Sequence, residues 1–168
     1  MTTIAQLIAH SLYEVGVRTA FGLPGGEVVE VLDAFRQIGI EFVLVKNESA
    51  MGFGIPAAMA AAQITKQPAI CITGDGGLAM VMGELSLAVE ADLPVIIVVM
   101  NDNALDLNGT TFTNPNYAIV AQGYGLKHYH VDSTASCKKA VQAALQARKP
   151  CLIDVQIDPS GYPTAVNK

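Results

Sequence analysis

Apolar residues first recur at helical spacing, at Ile4, Leu7, Ile8, Leu12 and Val15, and the pattern stops at Gly16. Thr3 and Gln6 stand where a capping box would close the start of that helix. Residues 19–21 read as a short strand running into Gly22-Leu23-Pro24-Gly25-Gly26. A second helix is predicted over 28–38, ended by Gly39, then a strand over 41–45 followed by Lys46-Asn47-Glu48-Ser49. A helix rich in small residues spans 52–64, with Pro56 tolerated near its first turn. Residues 69–72 form a fully apolar strand that delivers Thr73-Gly74-Asp75-Gly76-Gly77. One helix is expected over 78–90, and the strongest strand, 94–100, ends in Asn101-Asp102-Asn103. Residues 104–113 show no regular pattern. Asn114-Pro115 then supplies a cap and a first-turn proline for a helix that Gly123 or Gly125 closes. A strand over 128–131 follows. Cys137, Ala140, Val141, Ala144 and Leu145 mark one face of the last helix, and 150–157 is the last strand.

Strands therefore alternate with helices, and several strands are apolar throughout instead of every second residue. That pattern predicts an α/β fold: a single three-layer domain with a mainly parallel sheet of about six strands, covered by helices on both faces. The length of 168 residues suits one domain, with 159–168 as a surface tail. In such sheets ligands bind outside the C-terminal strand ends. Residues 22–26, 47–50, 74–77 and 101–103 all follow predicted strands, so the candidate chemistry collects on one edge.

Composition narrows the choice of ligand. The chain is 51% hydrophobic and only 15% charged, so many elements are covered on both sides, and residual apolar surface favours self-association. Net charge is −5 and no Lys/Arg run exceeds Lys138-Lys139, which argues against tracking nucleic-acid phosphates. An anionic cofactor remains compatible if a metal and backbone N–H groups handle its phosphates. Cys71, Cys137 and Cys151 lie in apolar contexts and read as reduced core thiols. The N-terminus lacks the basic and apolar regions of a signal peptide, and the runs 95–100 and 68–72 are too short to cross a bilayer. A cytoplasmic protein without membrane contact is the expectation.

The glycines of Gly74-Asp75-Gly76-Gly77 let the backbone turn sharply after a buried strand and approach a ligand. Asp75 adds a hard oxygen donor suited to Mg²⁺ or Ca²⁺. Asp102 lies 27 residues beyond Asp75, the separation one helix and a return strand require. Two carboxylates on neighbouring strand ends repel unless a cation sits between them. A shared Mg²⁺ meets that need, with backbone carbonyls and phosphate oxygens completing its shell. The plainer alternative is that Asn101-Asp102-Asn103 only makes Asx turns.

Gly74-Asp75-Gly76 through Asn101-Asp102 resembles the cofactor signature of thiamine diphosphate enzymes. The surrounding sequence looks like the diphosphate-binding domain of the acetolactate synthase and benzoylformate decarboxylase group. The resemblance implies Asp75, Asp102 and the Ala104 carbonyl as metal ligands, with Gly74, Gly76 and Gly77 beside the diphosphate. The family usually has Asn where this chain has Asp102, a change that keeps an oxygen donor but adds charge. Met51, at the head of Met51-Gly52-Phe53-Gly54-Ile55-Pro56-Ala57-Ala58, matches the large apolar residue beneath the bent cofactor.

Residues 1–50 instead resemble the start of the family's pyrimidine-binding domain, through Phe21-Gly22-Leu23-Pro24-Gly25-Gly26 and Asn47-Glu48-Ser49-Ala50. There Glu48 matches the glutamate that bonds N1′ of the aminopyrimidine and promotes loss of the C2 proton, and Gly25 falls in the matching cofactor loop. The resemblance thus changes domain type near residue 50: 1–50 pyrimidine-domain-like, 51–158 diphosphate-domain-like. A natural minimal form and a constructed chimera both fit that splice. It implies a homodimer with cofactor at the interface, because Glu48 and Met51 are too close in sequence to take opposite sides of one cofactor within a subunit. The family's chemistry implies decarboxylase or carboligase activity on a small 2-oxo acid. The stretch 105–113 is short where relatives carry a longer cofactor cover, which favours binding over efficient turnover. The remaining alternatives are a noncatalytic cofactor-binding or assembly domain and a flavodoxin-like nucleotide- or anion-binding regulator. No role follows for His10, His128 or His130.

Overall fold

The structure, a computed structural model, describes residues 3–22, 28–44, 52–102, 104–105, 110–111 and 113–158. Its first half runs α1 (Ile4–Glu14), β1 (Thr19–Gly22), α2 (Val29–Ile38), β2 (Glu41–Leu44), α3 (Gly54–Thr65) and β3 (Ala69–Gly74). There follow α4 (Asp75–Met80), α5 (Glu84–Glu90), β4 (Val95–Asn101), β5 (Ala104–Leu105) and β6 (Thr110–Thr111). The chain then forms α6 (Tyr117–Tyr124), β7 (Lys127–Val131), α7 (Thr134–Ala147) and β8 (Cys151–Gln156). Six strands are parallel, in two hydrogen-bonded ladders: β3-β4-β8-β7, and β1-β2. β5 and β6 pair antiparallel within the stretch expected to be irregular.

β4 explains why the layers are three. All seven of its residues are buried. Ile96, Val98 and Met100 join one apolar cluster with residues of α1, α2 and α7, while Val95, Ile97 and Val99 join another with residues of α3, α4, α5 and α6. A strand that alternates its side chains between two covered faces must be apolar at every position, which is the pattern of its sequence. Thr3 and Gln6 form the predicted capping box of α1, and Ser133 and Ser136 form a second one on α7.

Two expectations about helices are corrected. The helix expected over 78–90 is two helices, and the first begins three residues earlier, at Asp75. Residues 81–83 break it: Gly83 has poor helix propensity, and Val81 turns against Gly52, where an added Cβ would stand 2.7 Å from Val81 Cγ1. Helix α6 is capped by Asn116, whose side chain accepts from the Ala118 and Ile119 amides, and not by Asn114. Among the described residues no helix is long and apolar enough to cross a membrane.

The three cysteines are buried and unbridged, as their apolar contexts predict. Burial pushes the Cys71 and Cys151 thiols up to about 12 and Cys137 up to about 11. A thiol whose pKa rises on folding supports the fold below its unfolded value of 9.0 and loses that support as pH climbs toward the folded value. The native protein should therefore react with a thiol reagent at neutral pH only after denaturant is added. Its thermal midpoint should hold to pH 9.0 and then fall, less steeply in a triple Cys→Ala variant.

Candidate functional site

Parallel register aligns Gly74 of β3 with Met100 of β4, so Asp75 and Asn101 emerge together at the C-terminal edge of the sheet. Asn101 in turn pairs with Gln156 of β8. Alternation puts Asn101 on the same face as Ile97 and Val99, and Asp154 on the same face as Leu152, the side covered by α6. The result is a polar cluster beneath the first turn of α6. It is largely shielded from solvent, with Asp75 2% exposed, Asn101 6% and Asp154 8%.

The hydrogen bonds of this cluster form a chain. Asn101 Nδ2 donates to Asp154 Oδ1 at 2.9 Å, and Asn114 Nδ2 donates to Asn101 Oδ1 at 2.7 Å and to Asp75 Oδ2 at 2.6 Å. The buried Tyr117 hydroxyl donates to Asn114 Oδ1 at 3.1 Å, and the Gly76 amide to Asp75 Oδ1 at 2.7 Å. Burial, then the negative fields of Asp75 and Asp154, push the Tyr117 hydroxyl pKa well up, so it stays a donor. On the far side His130 Nδ1 and His128 Nε2 lie 3.5 and 3.9 Å from Asp154 Oδ2. Burial lowers the His128 pKa, with Asp154 opposing and His130 assisting the shift.

Glycine at 77 has a local cause. An added Cβ would stand 2.3 Å from Thr73 Oγ1, inside the turn that carries Asp75. Asp75 stands in the first turn of α4, where the peptide dipoles favour negative charge. Asp102 follows Asn101 directly, and Ala104 opens β5, its backbone paired with Thr111.

Asp75, Gly74, Gly76, Gly77, Asp102 and Ala104 thus collect around the adjoining ends of β3 and β4. Gly25, Glu48 and Met51 lie outside the described residues. Asn114 and Asp154 carry no site role in the sequence reading, yet both bond into the cluster. Asp154 had a usable signal, a lone carboxylate inside the apolar run Cys151-Leu152-Ile153-Asp154-Val155. Asn114 had a misleading one, because its place before Pro115 suggests a cap.

The donors on this edge are oxygens. Among the described residues no three His, Cys, Asp or Glu converge on a metal position. One or two carboxylates plus a carbonyl suit a hard cation that brings its own phosphate ligands, as Mg²⁺ does. The residues present fit a Mg²⁺-diphosphate group.

The family model described as thiamine pyrophosphate enzyme, C-terminal TPP binding domain, matches residues 39–155, more than half of the chain. A "Probable acetolactate synthase large subunit" of Methanococcus aeolicus is 32% identical over 126 residues, covering 66% of this chain and 21% of that protein. The acetolactate synthase isozyme 2 large subunit of Escherichia coli is 29% identical over 133 residues, covering 70% and 24%. The chain thus spans about a quarter or less of the length of these relatives. The crystal structure of benzoylformate decarboxylase from Polynucleobacter necessarius shares the fold, with TM-score 0.75 and 18% identity over 94% of this chain and 33% of that one.

The site's tightest backbone approach is open to test. Gly77→Ala should lower stability by about 1–3 kcal/mol through overpacking. Thr73→Ala in the same chain should recover part of the loss in urea unfolding, because it removes the clashing oxygen.

Proposed function

The chain belongs to the thiamine pyrophosphate enzymes, in their C-terminal TPP-binding domain, and from that premise we propose that it binds thiamine diphosphate through Mg²⁺. Asp75, Asp102 and the Ala104 carbonyl would hold the metal, and Gly74, Gly76 and Gly77 would let the backbone approach the diphosphate. The observation that carries this reading is the parallel register of β3 and β4, which delivers the buried Asp75 beside the Asn101-Asp102 strand end.

When bound, thiamine diphosphate supplies a carbon nucleophile for 2-oxo acid chemistry. The chain's own residues would bind, orient and shield it. Glu48 would hold a proton at N1′ of the aminopyrimidine, and Met51 would support the bent cofactor from below. Residues 1–50 would supply that activating half and 51–158 the metal half. A two-fold homodimer would then set Glu48 of one subunit against Asp75, Asp102 and Met51 of the other, giving two equivalent sites. Weak decarboxylation or carboligation of a small 2-oxo acid is the activity this arrangement supports. A noncatalytic cofactor-binding domain is the reading that remains if turnover is absent.

Calorimetric titration should show thiamine diphosphate binding with Mg²⁺ and little without it. Asp75→Ala should weaken it by more than about tenfold, the lower end of the loss seen when even outer-shell partners of a metal are removed. Metal-independent binding, or binding indifferent to Asp75, would defeat the site. Release of CO₂ from pyruvate or benzoylformate, lost in Glu48→Gln, would separate enzyme from binder. Sedimentation should show the dimer with cofactor bound; a monomer that binds cofactor at Glu48 would sink the shared-site arrangement.

A further inference from the structure

We propose that Asp154 and Asn114 are positioning residues for Asp75, acting through one directional chain of hydrogen bonds that crosses the ends of β8, β4 and β3. The proposal rests on the reading of Asp75 as a Mg²⁺ ligand. Asp154 Oδ1 accepts from the amide nitrogen of Asn101 at 2.9 Å, which fixes the way that amide faces. That choice turns Asn101 Oδ1 toward Asn114, whose nitrogen must donate to it at 2.7 Å. Both N–H bonds of Asn114 are then engaged, one with Asn101 and one with Asp75 Oδ2, while its oxygen accepts from Tyr117. Flipping either amide would set oxygen against oxygen. Asp75 Oδ2 is thus tied to β8, two strands away, while Oδ1 accepts from the neighbouring Gly76 amide.

β8 also fixes the strand end that leads into Asp102. The Asn101 carbonyl accepts from Gln156 Nε2 at 2.9 Å and from the Ile157 amide at 3.0 Å. Both metal-binding carboxylates would consequently be referenced to the same strand. Purely apolar packing would serve stability at least as well, since buried charges cost more to desolvate than they usually return. What the polar chain adds is a fixed carboxylate direction, the property a metal site needs from its outer partners.

The test compares Asn114→Leu, Asp154→Leu and Asp154→Asn with the wild type, each checked for folding by near-ultraviolet circular dichroism. Mg²⁺ is titrated at fixed thiamine diphosphate. Asn114→Leu and Asp154→Leu should raise the half-saturating Mg²⁺ about tenfold or more. Asp154→Asn keeps an oxygen facing Asn101 and should stay within about threefold of wild type. In the unliganded protein, Asp154→Leu should move the side-chain amide NMR signals of Asn114 as well as Asn101, and Asp154→Asn should leave Asn114 nearly unmoved. Should Asp154→Leu fail to fold, Asn114→Leu and Asp154→Asn decide the matter. Wild-type protein that takes up no thiamine diphosphate with Mg²⁺ overturns the functional reading itself. Tight wild-type binding that folded Asn114→Leu matches overturns only the positioning role.

Discussion

Negative charge buried at the ends of β3 and β8, on either side of β4, is the constraint on which the site depends. Asp75 and Asp154 are both shielded from solvent, and an unpaired carboxylate in that setting costs several kcal/mol. Each is answered by an asparagine amide. Asn101 lies between Asp154 and Asn114, and Asn114 between Asn101 and Asp75. Hydrogen bonds to charged groups contribute about 1.5–3 kcal/mol each, so the chain offsets much of the burial cost while fixing where the carboxylates point.

The fold makes this possible through β4. Covered on both faces, it keeps the sheet dry as far as Asn101, where the apolar pattern stops. On β4 the polar chain begins directly after the core residue Met100, and on β3 it begins with Asp75, directly after the strand. The helix break at residues 81–83 belongs to the same geometry. Helix α4 starts at Asp75 so that the carboxylate stands in its first turn, and the following turn packs on Gly52. A single helix from residue 78 would leave the Gly74–Gly77 stretch as a loop and free Asp75 from that frame.

Much of this was legible in the sequence. The parallel, doubly covered sheet follows from all-apolar strands such as 95–100, and the strand-end placement of Asp75 from Gly74-Asp75-Gly76-Gly77 following an apolar run. Helix α6 shows where such reading fails. Asn114 and Asn116 both suit a cap, and local chemistry does not tell which is drawn away to a partner distant in sequence. Asp75, 39 residues from Asn114, decides it. Asp154 stands out as a lone carboxylate in an apolar run, but its partner Asn101 is 53 residues distant, and only the β4-β8 register joins them. Long-range pairing, not propensity, assigns these side chains.

The central claim is that the ends of β3 and β4 form a metal site for a diphosphate cofactor. Anomalous diffraction from crystals grown with Mn²⁺ in place of Mg²⁺ and with thiamine diphosphate tests it most directly. A manganese peak bound by Asp75, Asp102 and the Ala104 carbonyl, with diphosphate oxygens completing the shell, is the predicted result. Cofactor bound with no metal at Asp75, or manganese held elsewhere on the chain, would contradict it.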